Sequence, residues 1–303
     1  MSAMPADPVV TRPVLGLKYP VHYAYAPTRD ELYVPISIRK PPGDGRFPAI
    51  TMGRGNGRGG MAHVERETQR VAAMQDRMIE RGYVVAYVNY RNEVPHLYEQ
   101  VLQQGQRLHD DMSGEGRVLK SAPALDSDDF ISAVEYLAGL HYVKPDAIGA
   151  VGVSHGGEII LKAAAAGAPL AAGVVIEGAS HEFLGVDTGP AAPRKANELQ
   201  YQELETVRAR ADKAVAMDRI RRIDAPILHI GRDHDHLQGI FRLAHEWMVE
   251  AGKRSTWVSH HHPDHGYPYI YAREDGSYRP DPVQQRAFDI FMDFFDNHLK
   301  AQR

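Results

Sequence analysis

One short stretch, from Ile148 to Glu158, constrains the fold of this chain more than any other. An apolar run passes through Gly-Val-Ser-His-Gly and continues into an apolar, alanine-rich segment. This order predicts a strand, a sharp turn with Ser154 at its tip, and a helix. Glycines two residues before and after the serine leave room where strand and helix nearly touch, and the helix N-terminus offers unpaired N–H groups to an anion. The pattern is that of a nucleophile elbow, although these five residues alone fit an ordinary strand-to-helix turn equally well.

The composition is that of a globular protein with a sizeable core. Of 303 residues, 43% are hydrophobic and 24% are charged, and the formal net charge is −4. No basic face stands out, so nucleic acid is not expected as a partner. The absence of cysteine excludes disulfides, thiol nucleophiles and thiolate metal sites. Neither a signal peptide nor a run of about 18 apolar residues is found, so we expect a cytoplasmic protein without a membrane partner.

Strands and helices alternate along most of the chain. The predicted strands are 21–25, 32–38, 47–52, 83–88, 148–153, 170–176, 226–230 and 255–258, and the predicted helices are 64–81, 127–140, the segment after Ser154, 237–251 and 283–299. Pro35 favours an edge position for the second strand, and residues 1–18 are expected to be irregular. The alternation predicts an α/β fold with a mostly parallel sheet.

Two stretches break this alternation. Residues 92–125 are polar and contain several glycines, which predicts a loop insertion. Residues 178–224 follow the sixth predicted strand and include a charged helical piece at 197–222. Their position after a strand predicts a cap over a site at the strand ends.

Residues 53–60 form a glycine-rich run, and its last six positions match G-x-G-x-x-G. A dinucleotide site requires this turn after the first strand of a βαβ unit and an acidic residue at the end of the next strand. The next strand here ends in Asn-Tyr-Arg at 89–91, so a nucleotide cofactor is not expected. The remaining interpretations are a loop that brings backbone N–H groups to a substrate carbonyl and a plain glycine turn.

Acidic and histidine residues follow two later strands. A serine hydroxyl needs a base to become a good nucleophile, and a carboxylate fixes the tautomer of a histidine base. In a parallel sheet such groups gather at the carboxyl ends of the strands. The candidates after strands 226–230 and 255–258 are Asp233, Asp235, His260, His261, His262 and His265. Their order after Ser154, acid and then histidine, is the order that folds with a nucleophile elbow require.

The run of histidines raises the question of a metal site. Adjacent residues of a strand point to opposite faces, so His260, His261 and His262 are not expected to converge on one ion. We therefore expect no metal and no other cofactor.

With these motifs the chain resembles the α/β-hydrolase superfamily, in particular its dienelactone-hydrolase and prolyl-oligopeptidase-like branches. The resemblance runs from about Phe47 to the C-terminus and rests on Arg-Gly-Tyr-Val-Val at 81–85, Gly-Val-Ser-His-Gly-Gly at 152–157 and His-Gly-Tyr at 265–267. It implies the α/β-hydrolase fold, a mostly parallel twisted sheet flanked by helices with a cap or insertion after the sixth strand. It also implies an N-terminal extension with antiparallel edge strands, 1–45, and a catalytic domain, 46–303.

The resemblance assigns Ser154 as the nucleophile and His265 as the base. The acid of the family falls on Asp235, with Asp233 as the alternative because the Asp-His-Asp repeat leaves the register open. An acid at such a position also suits a helix N-cap, which is the competing interpretation.

The oxyanion hole is expected to consist of two backbone N–H groups. The first is that of His155, directly after the nucleophile. The second falls on Arg54, because Met-Gly-Arg at 52–54 stands where the family usually has His-Gly-X. The side-chain amide of Asn56 is an alternative second donor.

The expected function is that of a serine hydrolase that cleaves a small-molecule carboxylic ester through an acyl-enzyme. A peptidase or amidase of the prolyl-oligopeptidase-like type is the alternative, although such enzymes usually carry a large extra domain and only about 45 residues precede the core here. A non-catalytic binding protein of this fold is a third interpretation, but such proteins usually lack a triad member. The acyl and alcohol specificity, and whether the chain forms a homo-oligomer, stay open.

Overall fold

The computed structural model describes residues 10–12, 18–54, 60–90, 125–187, 201–273 and 277–300. The strands are β1 (Val10–Arg12), β2 (Val21–Pro27), β3 (Tyr33–Arg39), β4 (Phe47–Gly53), β5 (Val84–Val88), β6 (Val143–Val153), β7 (Ala172–Ile176), β8 (Ile227–Arg232) and β9 (Ser255–His260). The helices are α1 (Met61–Glu80), α2 (Leu125–Ala138), α3 (His155–Ala165), α4 (Leu204–Arg210), α5 (Lys213–Arg221), α6 (Gln238–Glu250) and α7 (Pro282–Phe295), with a π-helical turn at Asp296–Lys300. Within these ranges no helix is both long and apolar enough to cross a membrane.

The nine strands form one sheet in the order β1-β2-β3-β5-β4-β6-β7-β8-β9. The pairs β1-β2, β2-β3 and β3-β5 are antiparallel. All later pairs in this order, from β5-β4 to β8-β9, are parallel. Strands β5 and β7 are buried at every position, because helices cover both faces of the parallel part. The predicted α/β-hydrolase fold, with a mostly parallel sheet flanked by helices, is confirmed.

Side chains of successive strand residues enter two separate cores. On β6, Ile148 and Ala150 join the core formed with α2, α3 and α6, whereas Val151 and Val153 join the core formed with α1 and α7. This period of two is the one expected for a strand that is covered on both faces. The carboxyl ends of β4, β6, β7, β8 and β9 consequently meet at one edge of the sheet, where the candidate residues lie.

Two predictions for the N-terminal part are wrong. Residues 10–12, predicted to be irregular, form β1 at the edge of the sheet. Strand β3 is not an edge strand, because it lies between β2 and β5. Its pairing with β5 begins at Ile36, one residue after Pro35, so the missing N–H of the proline removes no bond of that ladder.

The segment between β7 and β8 is the insertion predicted after the sixth strand. Its charged helical piece divides into α4 and α5, and Ala211 between them bridges to Val186. Residues 188–200 of this insertion lie outside the described residues. The predicted loop insertion at 92–125 also lies outside them, except for Leu125, where α2 begins.

Candidate active site

The turn between β6 and α3 carries Ser154 at its tip. Its backbone has φ 56° and ψ −120°, a strained conformation for a residue with a side chain. The N–H of Ser154 donates to the carbonyl oxygen of Ile176 at 2.9 Å. Its own carbonyl accepts from the N–H groups of Gly157 and Ala179, each at 2.9 Å. The predicted strand, turn and helix are confirmed, and the end of β7 helps to hold the turn.

The glycines of the elbow are required by close contact. A methyl group on Gly152 would lie 2.3 Å from the carbonyl oxygen of Gly156. One on Gly156 would lie 2.7 Å from the carbonyl carbon of Gly53 and 2.8 Å from the N atom of Arg54. These distances are below any normal contact with backbone, so the elbow and the loop after β4 fit together only with glycine at these positions.

The loop after β9 brings His265 to the elbow and to the turn after β8. A methyl group on Gly266 would lie 2.9 Å from a side-chain methyl of Val153, directly before the nucleophile position. The Nδ1 atom of His265 lies 2.9 Å from Oδ2 of Asp235, which is fully buried. The other oxygen of Asp235 accepts from the N–H of Leu237 at 2.8 Å, at the start of α6. Asp235 therefore makes the contact expected of a triad acid and also accepts a hydrogen bond at the N-terminus of α6.

The second acid of the repeat has different partners. The carboxylate of Asp233 accepts from the hydroxyl of Ser259 at 2.5 Å, and its N–H donates to the carbonyl of His260 at 3.0 Å. It thus ties the turn to β9, while Asp235 faces His265. Of the two candidates left open by the sequence, Asp235 is the one that the structure brings to the histidine.

Arg232, which the sequence analysis did not single out, completes the surroundings of Asp235. Its Nε and Nη2 atoms donate to Oδ2 of Asp235 at 3.0 and 2.7 Å. Burial acts to raise the pKa of Asp235, but the hydrogen bonds from His265 and the N–H of Leu237 lower it to about 2. Asp235 is therefore a fixed negative charge over the whole range in which a histidine titrates.

Glu177 is a second carboxylate beside the histidine, and sequence reasoning missed it. It directly follows β7, is fully buried and has φ 46°. Its Oε2 atom lies 2.8 Å from Nδ1 of His265 and accepts from the N–H of Gly266 at 2.5 Å. The available signal is a single acid that closes an apolar strand, one residue before the predicted cap at 178–224. Burial acts to lower the pKa of His265, yet Asp235 and Glu177 together raise it to about 9.

The two residues expected to supply the oxyanion donors both lie at the elbow. The N–H of His155 is at the first position of α3, where no intrahelical acceptor exists. The Arg54 amide follows β4 and sits against Gly156, while its guanidinium turns away to Glu67, at 2.7 Å. Asn56, the alternative donor, lies outside the described residues.

A buried tyrosine hydroxyl joins the two strands that carry these donors. The hydroxyl oxygen of Tyr269 lies 2.9 Å from the carbonyl oxygens of both Gly53 and Val151. It therefore fixes the spacing between the end of β4 and the end of β6. This role has no local sequence signature, since a tyrosine after the catalytic loop suits many positions.

The side chain of His155, next to the nucleophile position, lies between two carboxylates. Its Nε2 atom lies 2.7 Å from Oδ2 of the buried Asp126, and its Nδ1 atom lies 3.5 Å from Oε2 of the buried Glu158. Burial acts to lower the pKa of His155, but the two carboxylates raise it to about 9. The two carboxylates therefore favour the protonated form of the side chain that directly follows the nucleophile position.

The other histidines of the run have separate partners. His260 pairs with the hydroxyl of Tyr267 at 2.8 Å, whereas His262, the buried member of the run, pairs with Asp281 at 2.9 Å. His261 is exposed. The three side chains do not share a partner, but strand alternation is not the reason, because β9 ends at His260 and the other two histidines lie in the loop that follows.

One set of possible metal ligands occurs among the described residues. Atoms of Asp235, His236 and His265 lie within 4.8 Å of one another. Arg232 already donates two hydrogen bonds to the same carboxylate, and its positive charge opposes a metal cation there. The arrangement fits a histidine and carboxylate pair better than a metal centre.

A serine on a strained elbow, with a histidine and a buried acid on adjacent loops at the carboxyl edge of the sheet, defines a serine hydrolase of the α/β-hydrolase fold. The sequence profile of the prolyl oligopeptidase family matches residues 69–302. The chain belongs to this family, and the resemblance noted in the sequence is confirmed. No curated protein matches the chain significantly by sequence.

Several solved structures share the fold. Acylaminoacyl peptidase of Pyrococcus horikoshii superimposes with a TM-score of 0.61 at 20% identity, over 95% of this chain and 43% of that one. A Klebsiella pneumoniae protein assigned as a dienelactone hydrolase gives 0.60 at 15% identity, over 92% and 98% of the two chains. An esterase of Pyrobaculum calidifontis gives 0.57 at 15% identity, over 91% and 85%. The chain thus spans less than half the length of the acylaminoacyl peptidase.

Proposed function

We propose that this serine hydrolase cleaves small-molecule carboxylic esters through an acyl-enzyme, with Ser154 as nucleophile, His265 as base and Asp235 as acid. The observation that carries the proposal is the loop after β9. It packs against the elbow at Val153 and directs Nδ1 of His265 to a buried carboxylate. An imidazole held by Nδ1 has Nε2 left to accept a proton from a serine hydroxyl.

The reaction follows from these roles. Nε2 of His265 takes the proton of the Ser154 hydroxyl while Oγ attacks the ester carbonyl carbon, and the carbonyl oxygen becomes an oxyanion. The oxyanion collapses, the C–O bond to the alcohol breaks, and the alcohol leaves with the proton from His265. Water then attacks the acyl group with His265 again as base, which releases the carboxylic acid and restores the serine.

Two backbone donors are proposed for the oxyanion. The N–H of His155 heads α3, and the N–H of Arg54 lies where the loop after β4 touches Gly156. The carboxylates of Asp126 and Glu158 favour the protonated form of the His155 side chain, which adds positive charge next to the nucleophile. Loss of one oxyanion donor typically costs roughly 3 kcal/mol of barrier, so these contacts carry much of the proposed catalysis.

An ester is proposed over an amide on chemical grounds. An alcohol is a better leaving group than an amine, which must be protonated as the C–N bond breaks. A triad that cleaves amides therefore also cleaves activated esters, whereas the reverse does not follow. The specific observation in favour of a peptidase or amidase is the match to the prolyl oligopeptidase family, and this is the second candidate function.

The test compares a short-chain p-nitrophenyl ester with an aminoacyl-p-nitroanilide, for the wild type, Ser154→Ala and Ser255→Ala. Ser255 is the matched control, because it opens β9 at the opposite edge of the sheet and pairs with His245. We expect ester hydrolysis and fluorophosphonate labelling in the wild type and control, and neither in Ser154→Ala. Undiminished hydrolysis by Ser154→Ala would refute the assignment, and a faster reaction of the anilide than of the ester would establish the second candidate.

A further inference from the structure

Glu177 is the buried carboxylate that the proposed triad does not use. It is fully buried, and its φ of 46° is strained for a residue with a side chain. Its N–H donates to the carbonyl of Ile230 on β8 at 2.8 Å, which fixes its backbone. A buried, strained acid at the edge of the sheet where a site lies points to a role in that site.

The sheet order places Glu177 closer to the nucleophile than Asp235. Strand β7 lies between β6 and β8, and neighbouring strands are about 4.8 Å apart. Nδ1 of His265 reaches both acids, at 2.8 Å from Oε2 of Glu177 and 2.9 Å from Oδ2 of Asp235. The Nδ1 N–H meets the geometry of a hydrogen bond with Oδ2 of Asp235, and Oε2 of Glu177 lies beside it within reach of the same N–H.

We propose that Glu177 is a second carboxylate partner of His265, which shares with Asp235 the tasks of orienting the imidazole and stabilising its protonated form. The inference rests on the proposed function, because Glu177 acts as a positioning residue for the same base. When the Ser154 proton moves to Nε2 of His265, the proton on Nδ1 stays on the ring. There it can donate a hydrogen bond to either carboxylate without being transferred.

The charges around His265 explain how two carboxylates are tolerated there. Arg232 donates to Oδ2 of Asp235, and its Nε atom lies 4.0 Å from Oε1 of Glu177. His236 faces the base from the turn before α6, with ring centroids 4.9 Å apart, and its Nδ1 lies 3.4 Å from Oδ1 of Asp235. Arg232 offsets one of the two negative charges, so the imidazolium of His265 faces one net negative charge.

The competing explanation is that Glu177 only holds the catalytic loop. Its Oε2 atom accepts the N–H of Gly266 at 2.5 Å, and this bond alone would position His265. Glutamine keeps an acceptor oxygen of the same reach but carries no charge. Glu177→Gln therefore preserves the loop contact and removes the proposed effect on the imidazolium.

The experiment uses Asp235→Asn, Glu177→Gln, the double variant and a matched control. Glu250→Gln is the control, because Glu250 is an exposed residue of α6 that pairs with Lys213. For each variant kcat/KM for a p-nitrophenyl ester is measured from about pH 5 to about pH 10, over the range in which a histidine titrates. Circular dichroism and labelling by a fluorophosphonate report folding and an intact nucleophile.

A triad with a single acid loses about 10⁴-fold in rate when the acid becomes the amide, because the histidine adopts the wrong tautomer. Here Asp235→Asn is expected to lose less than about 10²-fold, since Glu177 still accepts the Nδ1 proton. Glu177→Gln alone is expected to lose less than about tenfold, and the double variant about 10⁴-fold. The two losses are then strongly non-additive, as expected for acids that substitute for each other.

The pH profile supplies a readout that loop positioning does not affect. His265 must be neutral to act as base, so kcat/KM falls as pH decreases through its pKa, which lies above the ordinary value in the wild type. Glu177→Gln removes a negative charge beside the imidazolium and lowers the pKa of His265. The acid limb of the profile is therefore expected to move to lower pH by about one unit. Glu250→Gln is expected to keep the wild-type profile.

The inference is overturned if kcat/KM falls about 10⁴-fold in Asp235→Asn alone. It is also overturned if the acid limb of the pH profile of Glu177→Gln coincides with that of the control. Either result leaves the proposed function intact. Undiminished hydrolysis by Ser154→Ala instead overturns the proposed function. If Glu177→Gln does not fold, Glu177→Asp keeps the charge but withdraws it from Nδ1. The same comparison of pH profiles then decides, with a shift to lower pH supporting the inference and none refuting it.

Discussion

Substitution of Gly156 by alanine tests how closely the elbow and the proposed oxyanion loop depend on each other. The added methyl group would lie 2.7 Å from the carbonyl carbon of Gly53 and 2.8 Å from the N atom of Arg54. Both are backbone atoms, so no side-chain rotation relieves the contact. Restoring an ordinary contact of at least 3.4 Å requires the peptide between Gly53 and Arg54 to move by about 0.7 Å.

This displacement sets the size of the effect. A misplacement of about 1 Å in a catalytic site costs about 10²-fold in rate, so we expect Gly156→Ala to lose roughly 10- to 100-fold in kcat/KM. Overpacking of this kind costs about 1–3 kcal/mol in the free energy of unfolding. At roughly 2–4 °C per kcal/mol for a domain of this size, the Tm falls by about 2–12 °C.

Gly167→Ala is the matched control. Gly167 lies just beyond α3, has φ 80° and has open space around its Cα, so alanine there costs about 1–2 kcal/mol of backbone strain without any clash. The assay is kcat/KM for a p-nitrophenyl ester together with thermal melting by circular dichroism. We expect both variants to lose stability and only Gly156→Ala to lose activity. A Gly156→Ala protein with wild-type kcat/KM would show that the position of the Arg54 amide does not limit the reaction.

Two further substitutions test single contacts. Tyr269→Phe removes the hydroxyl between the carbonyls of Gly53 and Val151. We expect a loss of about 1 kcal/mol in the free energy of unfolding and a several-fold fall in kcat. An unchanged kcat would show that this hydroxyl does not contribute to catalysis. Arg39→Met leaves the partly buried Asp76 without its partner at 2.5 Å. We expect a loss of about 3 kcal/mol in the free energy of unfolding, measured by urea denaturation, with kcat unchanged. A free energy of unfolding within about 0.5 kcal/mol of the wild type would contradict this expectation.

The elbow could be predicted because its determinants are local. An apolar strand, a serine between glycines and a helical segment follow one another without interruption, and the close contact of Gly152 with Gly156 is local, whereas that of Gly156 with Gly53 and Arg54 is not. The order of the later strands also placed Asp235 and His265 at the same edge of the sheet. Their meeting therefore follows from the parallel topology rather than from any single motif.

Other features depend on which strands become neighbours. The choice between Asp233 and Asp235 is decided by the turn after β8, where one acid faces Ser259 and the other faces His265. The proximity of Glu177 to His265 follows from the position of β7 between β6 and β8, which the sequence does not state. Periodicity along a chain predicts the faces of an element, but contacts between loops of different strands arise only when the sheet is assembled.

The contact between His155 and Asp126 matters for the design of chimaeric proteins, in which one helix is taken from a related chain. Asp126 belongs to the first turn of α2, and its carboxylate holds the side chain next to the nucleophile position at 2.7 Å. If α2 were replaced by a helix without an acid at this point, the half-buried side chain of His155 would keep Glu158 as its carboxylate partner, at 3.5 Å, and would lose the shorter of its two contacts. We therefore expect a chimaera that takes α2 from a relative without this acid to need a matching change at the residue that follows the serine.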